Sequence, residues 1–323
     1  MHFVAQVYKD EQENIKEQGK AAKDIVLRGY NPLVWVGPEL TEVKLPVNAI
    51  AYNLCITGRD LYLERIEEIE SPETWERYTG RVIDSVYKLS HKWCEAYILR
   101  QTNIKSDLET YLVKNQNKII NQAKEEHLPV LRKINPPPNR DLIHSWDNSL
   151  RKIVRSEARI ASSLIDFEIG RVAGANPKGI FDEYLGFNTN VVLRSPHMGF
   201  TEKVTPDFIY KHEVIGDIKT GIWQEFFMYT AIAYALAYEE HTRRDMNYGT
   251  ILYPEFSRTR RIPVYHHTSI EFLSDPMRLK FKAVRDRKLQ IVHDKKDPGK
   301  PDSKDKCDSG CPFLSYCWGK DNE

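Results

Sequence analysis

Residues 201–221 read Thr-Glu-Lys-Val-Thr-Pro-Asp-Phe-Ile-Tyr-Lys-His-Glu-Val-Ile-Gly-Asp-Ile-Lys-Thr-Gly. Two runs, 203–210 and 213–219, are rich in strand-forming residues and meet at a short polar turn, so they predict the two arms of a β-hairpin. Side chains alternate faces along a strand, which turns Asp217 and Lys219 the same way and Ile218 into the core. Asp207, ten residues before Asp217, falls beside it across the hairpin. The result is a small anionic pocket with the Lys219 ammonium at its rim. Such a pocket suits Mg²⁺ or Mn²⁺, which prefer oxygen ligands. A divalent ion there can activate water and neutralise a phosphodiester oxyanion, with Lys219 adding charge stabilisation. This is the physical logic of a metal-dependent nuclease.

A plainer reading exists, because Asp-x-Lys triplets are common in a chain with 29% charged residues and a lysine on a strand edge discourages aggregation. The neighbourhood argues for a site. Thr220-Gly221 breaks the second strand, and 223–238 is an apolar-aromatic run without Gly or Pro that predicts a buried helix, extending to 242. Charged residues between a core strand and a core helix are better explained by chemistry than by solubility.

The sequence has 323 residues, 41% of them hydrophobic, enough for one large or two modest domains. Lys plus Arg number 47 and Asp plus Glu 46, a formal charge of +1, so overall charge does not advertise a nucleic-acid binder and a polyanion would meet only a local basic patch. No stretch approaches the roughly 20 apolar residues of a membrane span. The polar Met1–Lys20 segment has no signal-peptide apolar region, so a cytoplasmic protein that binds no membrane is expected. In that reducing compartment the five cysteines read as metal ligands or core residues rather than disulfides.

Cys307, Cys311 and Cys317 lie within eleven residues, after a charged linker, 294–306, that carries Pro298, Gly299 and Pro301. A core has no use for three cysteines in such a tail, whereas a metal does. A fourth thiolate comes from Cys55 or Cys94. Cys55 closes a helical stretch, 47–54, and precedes the turn Ile56-Thr57-Gly58-Arg59, which leaves it accessible; Cys94 sits inside the helical run 75–100 beside Trp93 and Tyr97 and reads as core. Four thiolates without a nearby histidine suit zinc or a [4Fe–4S] cluster, and spacing alone leaves both open. Either would clasp the tail to the N-terminal helices.

Elsewhere the pattern predicts a helix and an irregular Pro/Gly segment over 1–45, long helices over 74–100, 103–127 and 146–173, a loop at 134–139, a turn at 174–179 and a strand at 190–194. Strands at 248–253 and 260–264 follow the buried helix, and 270–292 reads as a final helix. Its basic residues Arg278, Lys280, Lys282, Arg285, Arg287 and Lys288 form a solvated charge face or a rail for phosphates; Trp146, Tyr253, His266 and His267 are candidates for stacking bases.

The hairpin together with one upstream and three C-terminal cysteines resembles the iron–sulfur RecB-like exonucleases, and among them the CRISPR-associated exonuclease family in its archaeal type I-A branch. The residues that carry the resemblance span roughly 45–318: the segment 53–63 (Asn-Leu-Cys-Ile-Thr-Gly-Arg-Asp-Leu-Tyr-Leu), Gly80-Arg81-Val82-Ile83, Pro206-Asp207, Asp217-Ile218-Lys219-Thr220-Gly221, Tyr234-Ala235-Leu236-Ala237 and the three tail cysteines. The resemblance implies a restriction-endonuclease-like (PD-(D/E)xK) α/β fold with a mixed-sheet core. It implies a [4Fe–4S] cluster on Cys55, Cys307, Cys311 and Cys317. It further implies Mn²⁺- or Mg²⁺-dependent DNA cleavage, with Asp207, Asp217 and the Ile218 carbonyl as metal ligands, Lys219 as the catalytic lysine and Tyr234 on the following helix. Such enzymes trim single-stranded overhangs of captured DNA for spacer acquisition, alongside the CRISPR integrase and its small partner subunit.

Three positions depart from the family's pattern. Asp84 stands where a histidine metal ligand is common, Thr230 where a glutamine opens the Gln-x-x-x-Tyr motif ending at Tyr234, and three residues rather than two separate Cys307 from Cys311. The expected layout is a mainly helical part over 1–180, a nuclease core over 181–293 and a linker and cysteine tail over 294–323 that packs back on the helical part. The alternatives to an exonuclease are a weak or inactive DNA-binding subunit of the adaptation complex and a zinc-clasped structural protein.

Overall fold

The computed structural model describes all residues except 53, 101–106, 172–175, 258, 309 and 320–323, with the side chains of Ala21 and Pro177 also outside the description. The predicted hairpin forms, with shorter arms than its apolar pattern suggests. Five strands lie side by side in chain order: β1 (Phe187–Asn188), β2 (Phe208–Tyr210), β3 (Val214–Ile218), β4 (Tyr248–Leu252) and β5 (Ile270–Phe272). All neighbours are antiparallel except β3 and β4, which run parallel. The sheet is therefore mixed, as expected.

Twelve α-helices are described: α1 (His2–Asp10), α2 (Gln12–Ala21), α3 (Val47–Ala51), α4 (Arg59–Arg65), α5 (Trp75–Ile98), α6 (Leu108–Glu126), α7 (Leu128–Leu131), α8 (Arg140–Arg171), α9 (Pro177–Leu185), α10 (Met228–Thr242), α11 (Asp275–Asp294) and α12 (Leu314–Trp318). In α5, Thr74 caps the first turn by accepting from the Arg77 N–H. Its buried residues Tyr78, Val82, Val86 and Leu89 recur every three or four positions, the spacing of one helix face. That face packs with α1, α6 and α8 and with Phe208, Tyr210, Val214 and Ile218 of the sheet. Ile209 and Ile215 point to the opposite face, where α10 and α11 cover them. The alternation of β2 and β3 thus feeds two cores, and the sheet is the middle of three layers.

Several expected boundaries move. The segment 190–194 is no strand; Leu193 makes a single bridge to Val204. Val264 likewise bridges only Glu255, and the partner of β4 is β5, in a stretch predicted as the start of the last helix. Pro276 explains the change: it occupies the first turn of α11, where a missing N–H costs nothing, so the helix cannot begin before Ser274. The buried helix α10 starts at Met228 rather than 223, after a 3₁₀ turn at Glu225–Phe227. Part of the helix expected at 103–127 and of the turn at 174–179 lies outside the described residues.

Half of the basic face of α11 is withdrawn from solvent and from any phosphate rail. Arg278, Arg285 and Lys288 are buried. Arg278 forks onto the Glu239 carboxylate at 2.7 and 3.1 Å, Arg285 bonds Asp286, and Lys288 caps the carbonyls of Ala49 and Tyr52. Trp146 is buried against Trp75 and Tyr78 in the helical layer, which leaves it no open face for stacking a base. Among the described residues no helix is long and apolar enough to cross a membrane.

Glu239, fully buried on α10, also accepts from Arg28 and from the N–H groups of Gly29 and Met246. It ties the N-terminal loop, α10 and α11 together. Truncating it strands two buried guanidinium groups, a loss of about 3–5 kcal/mol. The Glu239→Ala variant should therefore unfold at clearly lower urea concentration than the wild type, with little change in the slope of the transition.

Candidate active site

The register of β2 on β3 sets the site. Phe208 faces Gly216, so the next pair outward is Asp207 and Asp217. Gly216 is required here, because a Cβ would come within 2.1 Å of the Phe208 ring. Asp207 Oδ2 accepts from the Ile218 N–H at 2.8 Å, which fixes its carboxylate against the β3 backbone. Lys219 forms an ion pair with Asp217, and both are buried. The ammonium is thus inside the pocket rather than at its rim. Lys219 also lies 5.1 Å from the centre of the Tyr52 ring.

The helix α5 closes the pocket from the other side. Gly80 lets it approach the turn after β3; a Cβ there would press on Thr220 Oγ1 at 3.2 Å. Two turns further along, Lys88 bridges Asp84 and Asp207 at 2.8 Å to each. The sequence had marked Asp84 and passed over Lys88, although its spacing of four from Asp84 was a visible helical ion-pair signal. Tyr234 is buried on α10, and the Asp217 and Asp207 carboxylates act on its hydroxyl. Thr230, where the resemblance expects glutamine, is fully buried one turn before it. Gln224 instead bonds Asp308 of the cysteine tail at 3.0 Å.

Electrostatics separate the acids. Burial opposes ionisation of Asp207, but the Lys88 ammonium and the donated hydrogen bonds hold its carboxyl below the usual range. Burial, reinforced by the Asp207 charge, lifts Asp217 well above that range despite Lys219. Burial and Asp207 together push Asp84 up to about 7. Burial also works against the Lys219 ammonium, but Asp217 overrides it and keeps lysine charged. Burial first, then the two aspartates, keeps the Tyr234 hydroxyl protonated.

With all three carboxylates ionised, they would face two ammonium groups with one negative charge in excess, and the upward shifts of Asp84 and Asp217 reflect their burial and that excess. Asp84 Oδ1 is buried and accepts no hydrogen bond among the described residues. The donor set is entirely oxygen. A divalent cation in place of Lys88 would neutralise the charge and satisfy the idle oxygen, so the residues fit Mg²⁺ or Mn²⁺. Among the described residues, however, no three acidic, histidine or cysteine side chains converge closely enough to form a ready-made cage.

The tail packs back over the loop before α4. The Asp308 N–H reaches the Leu54 carbonyl at 3.4 Å, Thr57 bonds the Gly299 carbonyl at 2.7 Å, and Arg59 pairs with Asp297 at 2.9 Å. Asn53, part of the segment singled out in the sequence, is outside the described residues. Cys55 lies beyond α3 in this loop and is buried rather than accessible. Arg59 Nη1 points at Cys317 Sγ from 3.6 Å and Trp318 Nε1 at Cys307 Sγ from 3.3 Å. Burial pushes the Cys311 thiol up to about 11, with Asp60, Cys55 and Cys317 adding to the rise. Cys55 and Cys317 act electrostatically on Cys311, and Cys55 and Cys307 on Cys317, so the donor chemistry suits a thiolate-bound metal, although among the described residues no three of these sulfurs stand close enough to hold one. Cys94 is fully buried in the helical core, as expected.

Fold and site together define a mixed α/β protein with an acid–lysine cluster at its strand ends. The sequence pattern of the CRISPR-associated exonuclease Csa1 family matches residues 11–320, and the chain belongs to that family. It is similar to the CRISPR-associated exonuclease Csa1 of Saccharolobus solfataricus, with 22% identity over 296 residues, covering 91% of this chain and 92% of the relative. A crystallised candidate exonuclease from Eubacterium rectale is similar at 12% identity and a TM-score of 0.32, covering 72% of this chain and 85% of the other, a likeness too slight to carry any argument.

Two outcomes follow from the charge balance. Removing the ammonium with Lys88→Met should tighten Mn²⁺ binding by roughly tenfold or more, since a like charge about 4 Å away costs around 4 kcal/mol at an effective dielectric of 20; calorimetric titration that finds binding unchanged or weaker would refute this role. Asp84 must be ionised to bind a cation, so Mn²⁺ affinity should rise with pH through about 7. The sign is opposite for the metal-free fold. Its Asp84 keeps a proton that the unfolded chain releases near 3.8, so metal-free stability falls as pH climbs from there to about 7.

Proposed function

We propose that this chain is a divalent-metal-dependent deoxyribonuclease that removes nucleotides from single-stranded DNA ends. The observation that carries the reading is the convergence of Asp207, Asp217 and Lys219 at the ends of β2 and β3, with Asp84 and Tyr234 closing the pocket. Family membership supports a nuclease role. In this reading the fold is the PD-(D/E)xK type, with a helical part at 1–180, the nuclease core at 181–293 and the tail at 294–323.

Asp207, Asp217, Asp84 and the Ile218 carbonyl would hold Mn²⁺ or Mg²⁺. When bound, the ion supplies an activated water and charge neutralisation at the phosphodiester. Lys219, kept cationic by Asp217, faces the phosphate oxygens and stabilises the charge that develops as the P–O bond breaks. The protonated Tyr234 hydroxyl is available to donate a hydrogen bond to a phosphate oxygen. The layers on either side of the sheet keep bulk water out, which strengthens each of these interactions.

The cysteine tail supports a second metal centre on Cys55, Cys307, Cys311 and Cys317. We assign it as a [4Fe–4S] cluster in a structural role, with a zinc site as the alternative that the donor chemistry also admits. On the motif resemblance, we further propose that the substrate is captured DNA trimmed for spacer acquisition in the cytoplasm, in a type I-A system, in concert with the CRISPR integrase and its small partner.

With Mn²⁺ and a single-stranded oligonucleotide, purified protein should release nucleotides and the Asp217→Ala variant should release none. Full activity in that variant removes the assignment, and overhang binding without cleavage in the wild type would favour an assembly subunit, as the Asp84 and Thr230 departures suggest. Anaerobically purified protein should be brown; a colourless protein containing zinc overturns the cluster.

A further inference from the structure

The pocket continues into a line of aromatic rings that no step above employs. Lys219 is bonded through its N–H to the Leu252 carbonyl at 3.1 Å, so the end of β3 and the residue after β4, Tyr253, lie side by side. Tyr253 turns its hydroxyl onto the Gly221 carbonyl and pins the loop that follows Lys219. That loop presents Trp223, whose indole stacks on the His267 ring at 4.6 Å and 9° and meets Tyr253 edge-on at 5.2 Å. Inward, Trp223 touches Phe227 at 5.7 Å, Phe227 approaches Tyr52 at 6.2 Å, and Tyr52 lies under the Lys219 ammonium. The rings therefore run without a break from the catalytic lysine to an exposed imidazole. Beside them, Ile222 is 75% exposed at the tip of the loop, and Gly221 opens onto free space with a φ of 95°.

Apolar packing accounts for the inner members, since Phe227 and Tyr253 are buried with Ala231 and Ile251. It accounts only in part for the outer ones, since Trp223 packs against that cluster yet stays partly exposed and His267 is exposed. A parallel stack of Trp223 on an exposed His267, beside a solvent-facing isoleucine, three to four residues after the catalytic lysine, offers flat faces where a strand would leave the pocket. Unpaired bases expose their π-faces and can stack there, whereas paired bases are already stacked on their neighbours.

Resting on the nuclease reading, we propose that Trp223 and His267 form a base-stacking platform for the single-stranded end of the DNA, and that Ile222 is the wedge against which a duplex stops. Lys219 and the acids act on the phosphate; the platform decides which strand reaches them. Trp223 is thus a positioning residue.

The test measures binding without metal, in EDTA, so that no cleavage intervenes. Wild-type protein should bind oligo-dT well and a blunt hairpin duplex weakly. Trp223→Ala should weaken oligo-dT binding by roughly 5- to 150-fold, the range of one lost base–aromatic stack, and leave duplex binding unchanged, while Trp223→Phe should retain most of the affinity. His267→Ala, at an exposed position that does not threaten folding, should show a smaller loss of the same kind. With Mn²⁺, Ile222→Ser should let cleavage run further into the duplex. The platform is overturned if Trp223→Ala and His267→Ala bind oligo-dT as the wild type does, or if single-strand and duplex binding fall equally. Trp223-dependent binding in a protein that cuts nothing would leave the platform standing and remove the nuclease reading. Wild-type cleavage with unaltered Trp223 and His267 variants would do the reverse.

Discussion

The backbone pairing of Phe208 with Gly216 is the constraint on which the rest of this protein depends. It sets the next residues outward, Asp207 and Asp217, on one face at the strand ends. Because side chains alternate, a slip of one residue would turn Asp217 and Lys219 toward the helical layer and send Ile218 to the α10 layer. The Phe208 ring lying over a residue without a Cβ guards against that slip, since a bulkier cross-strand neighbour has no space. Register and chemistry are therefore the same fact seen at two scales.

The hairpin, the long helix α5 and the apolar α10 were legible because each announces itself by local periodicity. Cys94 as core was legible too, from its helical surroundings. What the sequence could not reveal is where charges find partners. Arg278 looks like surface until Glu239, on another helix, is placed beside it. Lys88 looks like one more helical cation until the hairpin brings Asp207 to it. The strand at 270–272 was hidden because three residues are too few to separate a period of two from a helical one, and Pro276 was the clue that outranked periodicity.

The tail and the pocket are not independent. Gln224 follows Trp223 directly and is bonded to Asp308, in the knuckle between Cys307 and Cys311. Arg59, which reaches Cys317, is anchored by Asp297 in the linker after α11. A metal centre at the cysteines would brace the same loop that carries the aromatic rings, even though no cysteine belongs to the acid cluster. The acid cluster and the cysteine tail thus share a backbone segment rather than a side chain.

The bridge from Lys88 to Asp207 spans 119 positions, whereas the bond from the Ile218 N–H to Asp207 spans 11. Loop closure favours the short span by entropy, so we expect the hairpin to assemble its two acids before the distant helix docks. Until then the acids remain hydrated, and no desolvation penalty opposes hairpin formation. The late docking of α5 delivers the counter-ion in the same motion that expels the water. Burial of Asp207 and its pairing with Lys88 are thus one event.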